Sequence, residues 1–459
     1  MMTAPTDSDR PDVLLVSLDT VRADALSLYG APDGSSPALA ALAASSAVFE
    51  RAISTAPWTL PAHTSLFTGQ QPDRHDVHRE LSSVPRDVAW LVDDFRRAGY
   101  RTEAWTGGGY LDPTFGFDQG FDRYAAVDPA FPNRAWAERR GNAHDITRAK
   151  AAEASRRDLL ERLAEPDGGP RFLFAHTYAA HEYAADPALL TASGATPDRL
   201  DDLVQGLSTV DMMNRIRRDP ALAKDPATIE RARFLYRASV RTADEFLADV
   251  LAALDRSGRA SRTIVVVVSD HGEELFERGA IGHAHQLHEE LVRIPMVVRG
   301  PGVVPARIGD VVSLADVTPT LRELCRLSPP DGASFGASQD GRSLVPLLRG
   351  ERLPARPALS HGSRPSGAGE RIFRALRGRR IKFMREEGAA GRLFDLDADP
   401  GERSDLAASL ASDAATQAGY LYTLVTALKS LRGEAGSAAL SPELRKSLEA
   451  LGYLGDSDD

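Results

Sequence analysis

Apolar runs and helical patterns alternate along this chain. Four runs are rich in β-branched residues and show no apolar-polar alternation. They are 12–19, 171–177, 262–270 and 294–300. Strands that are buried on both faces of a parallel sheet have this pattern. Helical spacing is found between the runs at 36–46, 87–99 and 231–258. The alternation predicts an α/β fold with a large doubly wound sheet, mixed or parallel, and helices on both faces.

One interval departs from this alternation. Residues 185–230 are polar, mostly helical in spacing and interrupted by prolines. This composition predicts a helical excursion on the surface that shapes substrate access. Together with 113–165, the interval is expected to line a pocket, and neither segment indicates what the pocket would bind.

The pattern changes again in the last quarter of the chain. Short segments at 371–388 and 391–406 predict a small antiparallel meander. A terminal helix is predicted at 441–454, opening on Ser441 as its cap. We therefore expect a catalytic α/β domain at 1–350 and a small C-terminal subdomain, an antiparallel sheet with a helix, at 351–459.

The charge of the chain excludes one large class of partner. Its net charge is −10 and its pI is about 5.6, and no long basic run appears. A nucleic-acid partner would require a basic surface, so we expect none. No apolar run approaches the length of a membrane span, and the N-terminus lacks the pattern of a signal peptide. We expect no membrane partner and a cytoplasmic location. The oligomeric state stays open.

Acidic and imidazole side chains stand where two of the predicted strands end. Asp19 ends the first run, and Asp270 and His271 end the third. Ligands of open α/β sheets collect at the carboxyl ends of strands. Each residue alone is explained as a loop or capping residue. A divalent cation would offset the cost of burying several of them together, so as a group they predict a metal site.

The stretch APWTLPAHTSLFTG, residues 56–69, allows two interpretations of Thr59. Pro61 suits the first turn of a helix, which makes Thr59 a candidate N-cap. A hydroxyl at a helix N-terminus is also placed for activation as a nucleophile, because the helix dipole and a nearby cation favour the alkoxide. His63 lies four residues further on the same face, within reach of that hydroxyl or of an oxyanion beside it.

Histidines form two further groups. His176 and His181 follow a predicted buried strand in HTYAAHEY. The other group, in GHAHQLHEEL, contains His283, His285 and His288. Taken singly, His285 and His288 are better explained as surface residues than as catalytic ones.

Ordered fragments through most of the chain resemble the sulfatase branch of the alkaline phosphatase superfamily. They are LLVSLDTVRADALSLYG, STAPWTLPAHTSLFTG, FLFAHTYAAHEY, VSDHGEELFERGAIGHAHQLHEELVRIPMVV, DVTPTL, DGRSLVPLL and LFDLDADPGERSDL. The resemblance implies an alkaline-phosphatase-like fold and a hydrolase of ester bonds. Its substrate would be a small-molecule sulfate or phosphate ester.

The resemblance also implies roles for the residues singled out above. Asp19, Asp270 and His271 would hold one divalent metal ion (Mn²⁺, Ca²⁺ or Zn²⁺), with Thr59 as a further ligand at the position of the family nucleophile. The residues expected to face the transferred sulfuryl or phosphoryl group are His63, His181 and His283. His181 or His283 would protonate the leaving oxygen. Only a weak candidate, His361, is left for a second metal.

The chain departs from the family pattern at the nucleophile. Sulfatases that use formylglycine generate it from a Cys/Ser-x-Pro-x-Arg sequence, which here reads Thr59-Leu-Pro61-Ala-His63. We therefore expect no formylglycine cofactor. Thr20 stands where many sulfatases have a second metal-binding aspartate. Arg22 is the nearest conspicuous cation, although bracing Asp24 explains it equally well.

These departures favour one function over three alternatives. A phosphorylated threonine is cleared by in-line attack of water, whereas a sulfated threonine lacks the route that formylglycine provides. We expect a metal-dependent hydrolase with a threonine nucleophile that favours phosphodiester or phosphonate monoester substrates. The alternatives are a true sulfatase that acts without formylglycine, a phosphoryl-group transferase and a degenerate, non-catalytic binding protein.

Overall fold

The computed structural model describes residues 10–450, apart from 33, 131–136, 139, 140, 142, 167, 184, 186, 197–208, 330–333, 367 and 368. The strands of this part are β1 Asp12–Leu18, β2 Ala47–Ile53, β3 Ser82–Ser83, β4 Arg101–Thr106, β5 Arg123–Ala126, β6 Arg171–Thr177, β7 Thr263–Val268, β8 Glu274–Leu275, β9 Ile281–Gly282, β10 Arg293–Arg299, β11 Ala306–Ser313, β12 Ala358–Ser366, β13 Gly369–Arg377, β14 Ile381–Glu386, β15 Arg392–Asp395 and β16 Gly436–Ser437.

Helices connect most of these strands. They are α1 Pro37–Ala43, α2 Thr59–Thr68, α3 Pro72–His75, α4 Leu91–Arg97, α5 Ala143–Leu163, α6 Pro187–Ala192, α7 Thr209–Arg218, α8 Pro226–Arg256, α9 Glu289–Val292, α10 Val317–Leu324, α11 Phe335–Ser338, α12 Val345–Leu348, α13 Ala411–Ser430 and α14 Pro442–Ala450. None of the described helices is both long and apolar enough to cross a membrane.

The main sheet contains eight of the described strands in the order β11-β2-β10-β7-β1-β6-β4-β5. Strand β1 pairs in parallel with β6 and β7. The α/β prediction is confirmed, and each of the four predicted strands appears within two residues of its predicted bounds. Strand β10 runs antiparallel to both neighbours, so the parallel pattern inferred for it is wrong. Burial on both faces gives the same apolar run in either direction, so the sequence carries no sign of strand direction.

Strand β1 has no polar face because helices cover the sheet on both sides. Leu14 and Val16 belong to a core shared with the long helix α8. Val13 and Leu15 point the other way, into a core that contains Phe67 of α2 and other aromatic rings. Helix α8 begins five residues before its predicted start, with the Asp225 side chain capping it through the Thr228 N–H at 2.9 Å.

The C-terminal part follows the prediction in outline. Strands β12 to β15 form an antiparallel sheet in sequential order, which confirms the meander. Helix α13 packs on this sheet and was not predicted. Ser441 caps α14 by accepting the Leu444 N–H at 3.1 Å, as expected. The boundary at residue 350 stays a prediction, and residues 451–454 of the predicted terminal helix lie outside the described residues.

The excursion at 185–230 is described only in part. Helices α6 and α7 lie within it, and α8 starts before its end. Residues 186 and 197–208 of the excursion lie outside the described part of the chain. The predicted helical character therefore holds for the segments on either side of them.

Candidate active site

The parallel pairing of three neighbouring strands brings the predicted metal ligands to one edge of the sheet. Ser17 of β1 is in register with Val268 of β7 and with His176 of β6. Asp19 and Asp270 each lie two residues beyond a member of the first pair, so the two carboxylates emerge side by side. Both are fully buried. The predicted proximity of these strand ends is confirmed by the register.

Thr20 shapes the turn that follows Asp19. Its φ is +56°, in the left-handed region that a β-branched residue rarely adopts. In this conformation the Thr20 N–H donates to Asp270 Oδ1 at 3.3 Å, while its hydroxyl donates to the Asp19 carbonyl at 2.7 Å. Thr20 therefore links the two carboxylate-bearing strand ends without adding a charge.

Three buried acceptor atoms face one another without a hydrogen bond from any described residue. They are Asp19 Oδ1, Asp270 Oδ2 and His271 Nε2. His271 Nδ1 lies 2.8 Å from the Gly272 carbonyl, so Nδ1 carries the proton and Nε2 presents its lone pair. That Nε2 is 3.3 Å from Asp270 Oδ2 and 3.9 Å from Asp19 Oδ1. Carboxylate oxygens and an imidazole nitrogen fit Mn²⁺, Zn²⁺ or Ca²⁺, so these residues suit a divalent cation.

The electrostatics of this group also suit a cation. Burial, followed by the charge of Asp270, raises the pKa of Asp19 well above its ordinary value. Burial lowers the pKa of His271, which keeps the imidazole neutral. His63 contributes to the same cluster, because one atom each of Asp19, His63 and Asp270 lies within 4.8 Å of the others. Two adjacent buried carboxylates require either a shared proton or a cation.

Thr59 is the first residue of α2, and Trp58 holds the N-cap position. The interpretation of Thr59 as the N-cap is therefore wrong. Its hydroxyl donates to Asp19 Oδ2 at 3.3 Å and is hydrogen-bonded to the Tyr178 hydroxyl. Pro61 lies in the first turn, as predicted. Every residue of α2 is buried, and the contact of its first residue with Asp19 places the positive end of the helix dipole beside that carboxylate.

His63 connects the start of α2 to the end of β1. Its Nδ1 lies 3.0 Å from the Thr59 carbonyl and 3.4 Å from Asp270 Oδ2, while its Nε2 lies 2.9 Å from Ser17 Oγ. Since a carbonyl only accepts, Nδ1 carries the proton and the Ser17 hydroxyl donates to Nε2. Burial lowers the pKa of His63. Both ring nitrogens are thus engaged by the protein.

His176 holds Asp19 from the side of β6. The Gly107 N–H donates to His176 Nδ1 at 3.1 Å, so the ring proton is on Nε2, which donates to Asp19 Oδ2 at 3.2 Å. The sequence indicated His176 without giving it a role. Tyr178, which reaches the Thr59 hydroxyl, was missed although it lies in the same HTYAAHEY stretch. The clue to Tyr178 in the sequence was its position directly after β6, a strand that ends at the candidate metal site.

The remaining predicted catalytic residues, His181 and His283, pack against each other beside His271. The ring centroid of His283 lies 5.0 Å from that of His181 and 4.5 Å from that of His271. Glu273, which sequence reasoning missed, lies with Oε1 3.2 Å from His283 Nδ1. Burial raises the pKa of Glu273 to about 8 and lowers the pKa of His283 to about 4. The sequence could have indicated Glu273 by its position, because it places a second carboxylate two residues after His271.

Two other histidines differ from expectation. His288 is buried, so its prediction as a surface residue is wrong; its ring packs beside Phe394 of the C-terminal sheet. His285 is partly exposed and lies with Nε2 2.7 Å from Glu274 Oε2. His288 is buried although it lies on a polar loop, because the C-terminal sheet covers that loop.

His361 and Arg22 lie outside the metal site. His361 Nδ1 is 3.1 Å from Asp73 Oδ2, so this imidazole pairs with a carboxylate of α3. Arg22 forms ion pairs with Asp24 and Glu277, each at 2.7 Å. The bracing interpretation of Arg22 therefore matches the structure.

The residues at the centre of this region are shielded from solvent, and partly exposed residues lie around them. Asp19, Thr59, Asp270 and His271 have an exposed fraction of 0%. His283 and the residues after it up to Gln286 are partly exposed. The segment 283–286 is therefore one partly exposed surface beside the candidate metal site, because His283 packs against His271.

Comparison with known proteins identifies the same fold and family. The sulfatase family model matches residues 11–326. Choline-sulfatase of Rhizobium meliloti (strain 1021) is 27% identical over 440 residues, covering 87% of this chain and 82% of that protein. The solved structure of a 2-O GAG sulfatase matches with a TM-score of 0.71 at 20% identity, over 95% of this chain and 96% of that one.

A second solved structure with this fold is the phosphonate monoester hydrolase of Agrobacterium radiobacter. It matches with a TM-score of 0.70 at 21% identity, over 92% of this chain and 96% of that one. The family match spans β1, α2 and β7, which carry or adjoin Asp19, Thr59 and Asp270. With that match extending over well more than half of its length, the chain belongs to the sulfatase family, in the alkaline phosphatase superfamily, and is a hydrolase of ester bonds.

Proposed function

We propose that the protein is a metal-dependent hydrolase of phosphodiesters or phosphonate monoesters that uses Thr59 as its nucleophile. One observation carries this proposal. The Thr59 hydroxyl lies 3.3 Å from Asp19 Oδ2, at the N-terminus of a buried helix, beside three buried acceptor atoms that suit a cation. A threonine with a purely structural role would not need a buried carboxylate and a group of buried acceptor atoms beside its hydroxyl.

Asp19, Asp270, His271 and the Thr59 hydroxyl would hold one divalent cation. When bound, the cation offsets the two carboxylate charges and favours the ionised hydroxyl of Thr59. The protein fixes the ligands in advance. His176 orients Asp19 by donating its Nε2–H, and the backbone of Thr20 orients Asp270.

Thr59 Oγ would attack phosphorus in line with the leaving oxygen. The bond from Oγ to phosphorus forms as the bond from phosphorus to the leaving oxygen breaks, and Asp19 Oδ2 is placed to accept the hydroxyl proton. The N–H groups at the start of α2 stabilise the equatorial oxygens. His63 serves here as a positioning residue, because its Nδ1–H holds the Thr59 carbonyl.

One of two neighbouring histidines would protonate the departing alcohol. His181 and His283 are the two candidates, and their rings are 5.0 Å apart. The carboxyl of Glu273 lies 3.2 Å from His283 Nδ1, so it can pass a proton to that ring. Water would then attack phosphorus and release Thr59.

Chemistry favours phosphorus over sulfur at this nucleophile. Formylglycine hydrate releases sulfate by breaking a C–O bond, whereas a threonine sulfate must be opened by attack at sulfur. Few cations accompany the proposed metal, since Arg22 is occupied by Asp24 and Glu277. A group with a single negative charge therefore fits better than a phosphate monoester dianion.

Hydrolysis of sulfate esters is the second candidate function. Choline-sulfatase is similar to this chain along most of its length, and its name gives its substrate class. A threonine that clears its sulfate by direct attack of water would be needed. Under this candidate function, a sulfate ester would be hydrolysed faster than a phosphodiester or a phosphonate monoester.

A panel of aryl reporter esters separates the two. We expect a phosphonate monoester or a phosphodiester to show a higher kcat/KM than the matching sulfate and phosphate monoesters, with Mn²⁺, Zn²⁺ or Ca²⁺ supplied in turn. Faster turnover of the sulfate would favour the second candidate. No turnover of any ester with any of the metals would contradict both.

A further inference from the structure

A cavity in the C-terminal sheet is lined by basic side chains. It has a volume of about 260 Å³, and its lining includes Arg364, Arg371, Arg374, Arg385, Arg392 and His285. We call it the arginine pocket. Glu386 is the acidic residue in the lining. The concentration of arginine is notable because the whole chain carries a net charge of −10.

Carboxylates form ion pairs with only some of these arginines. Arg371 is paired with Glu386, and Arg374 is paired with Asp73 at 2.7 Å. No carboxylate of the described residues lies within 4.0 Å of Arg364, Arg385 or Arg392. All three of these arginines are exposed. Like charges around one cavity repel one another, and an anion bound among these guanidinium groups would offset that repulsion.

The geometry of the lining preorganises two of the three arginines. Arg385 Nε donates to the Ala389 carbonyl at 3.1 Å. The Arg392 guanidinium lies 5.7 Å from the ring centroid of Phe394, which restricts its plane. Each group keeps other N–H donors available for a ligand. Planar guanidinium donors match sulfate, phosphate and carboxylate oxygens in pairs.

The arginine pocket shares a loop with the residues around the candidate metal site. His285, Gln286 and Leu287 belong to its lining, and His285 Nδ1 is 2.9 Å from the His283 carbonyl. His283 in turn packs against His271. One short loop therefore borders both the metal site and the arginine pocket.

We propose that the arginine pocket binds a second sulfate or phosphate group of an oligoanionic substrate whose scissile ester lies at Thr59. The cavity is slightly smaller than most small-molecule sites, so it suits one anionic group with part of its sugar or alcohol. The proposal rests on the proposed function for the reaction at Thr59. Binding is nevertheless measurable without turnover.

The test is isothermal titration of the full-length protein with three probes: glucose 1,6-bisphosphate, glucose 6-phosphate and a trisulfated disaccharide. The variant is the double substitution Arg385→Gln, Arg392→Gln. A matched control is Arg379→Gln, Arg445→Gln, which removes two exposed arginines that do not line the pocket. Thermal unfolding of all three proteins checks that they are folded.

We expect the unaltered protein to bind the bisphosphate or the trisulfated probe more tightly than the monophosphate. The pocket variant should lose about tenfold or more of that affinity, since each charge-assisted hydrogen bond is worth a factor of this size, and the control should lose little. Which probe binds more tightly distinguishes a phosphorylated from a sulfated ligand, and either result supports the pocket. Equal affinity of the pocket variant and the control for every probe would overturn it.

The outcomes for the pocket and for the reaction are separable. Binding that depends on the pocket in a protein that hydrolyses none of the reporter esters would leave the pocket standing and remove the proposed function. Hydrolysis of the reporters with no effect of the pocket substitutions on binding would do the reverse.

Discussion

At the scale of single residues, hydrogen-bond partners decide which imidazole nitrogen faces the metal site. His271 gives its Nδ1–H to a carbonyl and presents a lone pair, whereas His176 accepts a backbone N–H at Nδ1 and presents a proton. Two histidines beside the same aspartate therefore have opposite roles, one as the proposed ligand and one as an orienting donor. Their spacing in the sequence contains no such information, because the partners are backbone groups brought in by the fold.

The sharpest prediction at this scale concerns the nucleophile. Thr59→Ala should lower kcat/KM for the preferred aryl ester by about a thousandfold or more, because loss of a nucleophile removes the covalent route. Thr59→Ser keeps a hydroxyl on the same atom position and should retain far more activity. The measurement is steady-state kinetics with each variant, accompanied by thermal unfolding.

Thr64→Ala is the matched control for this experiment. Thr64 is a buried threonine of the same helix whose hydroxyl donates to the Leu60 carbonyl at 2.7 Å. Its substitution should leave activity close to that of the unaltered protein. Near-normal activity of Thr59→Ala would rule out Thr59 as the nucleophile.

At the scale of elements, a buried lysine holds the C-terminal sheet against α9. Lys382 of β14 has no exposed surface and lies 3.0 Å from Glu289 and 2.9 Å from Glu402. Arg377 adds a contact to Glu289 at 3.3 Å. This packing covers His288 and supports the loop that borders both the metal site and the arginine pocket. Nothing in the apolar pattern pointed to it, since a lone lysine in a meander strand is expected to face solvent.

Replacing this lysine should give a destabilisation that depends on pH. Burial raises the pKa of Glu289, but Lys382 and Arg377 outweigh it and bring the pKa to about 2. In the unaltered protein this stabilisation is present above the ordinary pKa of 4.5 and is lost as the pH falls towards 2. In Lys382→Met the two carboxylates keep their burial without the ammonium, so their pKa values rise.

The variant should therefore be weakest at high pH. We expect Lys382→Met to lower the free energy of unfolding by about 3–5 kcal/mol at pH 8, and by less at pH 5, where the buried carboxyls take up protons. Arg380→Gln is the control, because its pair with Asp395 is solvent-exposed on the arginine side and should contribute little to stability. Urea unfolding at both pH values measures this. Equal destabilisation at pH 5 and pH 8 would contradict the coupling.

At the scale of the whole molecule, the sequence predicted the sheet and the convergence of the strand ends that carry Asp19 and Asp270, but not the helix and loop contacts around them. Asp19 and Asp270 were predictable because parallel strands end at one edge. Strand β10 had no sign of its direction, and α13 had no apolar stripe strong enough to separate it from a surface segment. Tyr178 and Glu273 reach the site through loops whose course depends on the packing of the entire α/β layer.

A cation at the metal site should stabilise the whole fold. A ligand that binds only the folded state raises the free energy of unfolding by about 2.7 kcal/mol at a concentration of 100 times its Kd. We expect Mn²⁺, Zn²⁺ or Ca²⁺ to raise the melting temperature of chelator-treated protein by a few degrees. Elemental analysis should find about one ion per chain.

Asp270→Asn tests which residues are responsible. This substitution should abolish the thermal shift and the bound metal, whereas Asp24→Asn, which alters a carboxylate paired with Arg22 outside the site, should preserve both. A metal content that is unchanged in Asp270→Asn would contradict the assignment of the ligands.

The burial of α2 has a consequence for how this chain relates to the formylglycine enzymes. His63 is fully buried, with both ring nitrogens engaged and with Phe117, Phe174 and His176 as ring neighbours. An arginine at this position would need more length and more acceptors than that space supplies. The double substitution Thr59→Cys, His63→Arg would therefore require rebuilding the interior around both side chains, and an enzyme that modifies residue 59 would have to act before this chain folds. Thr59 and His63 are both built into the core, so a two-residue change alone would not restore the sequence that formylglycine enzymes use.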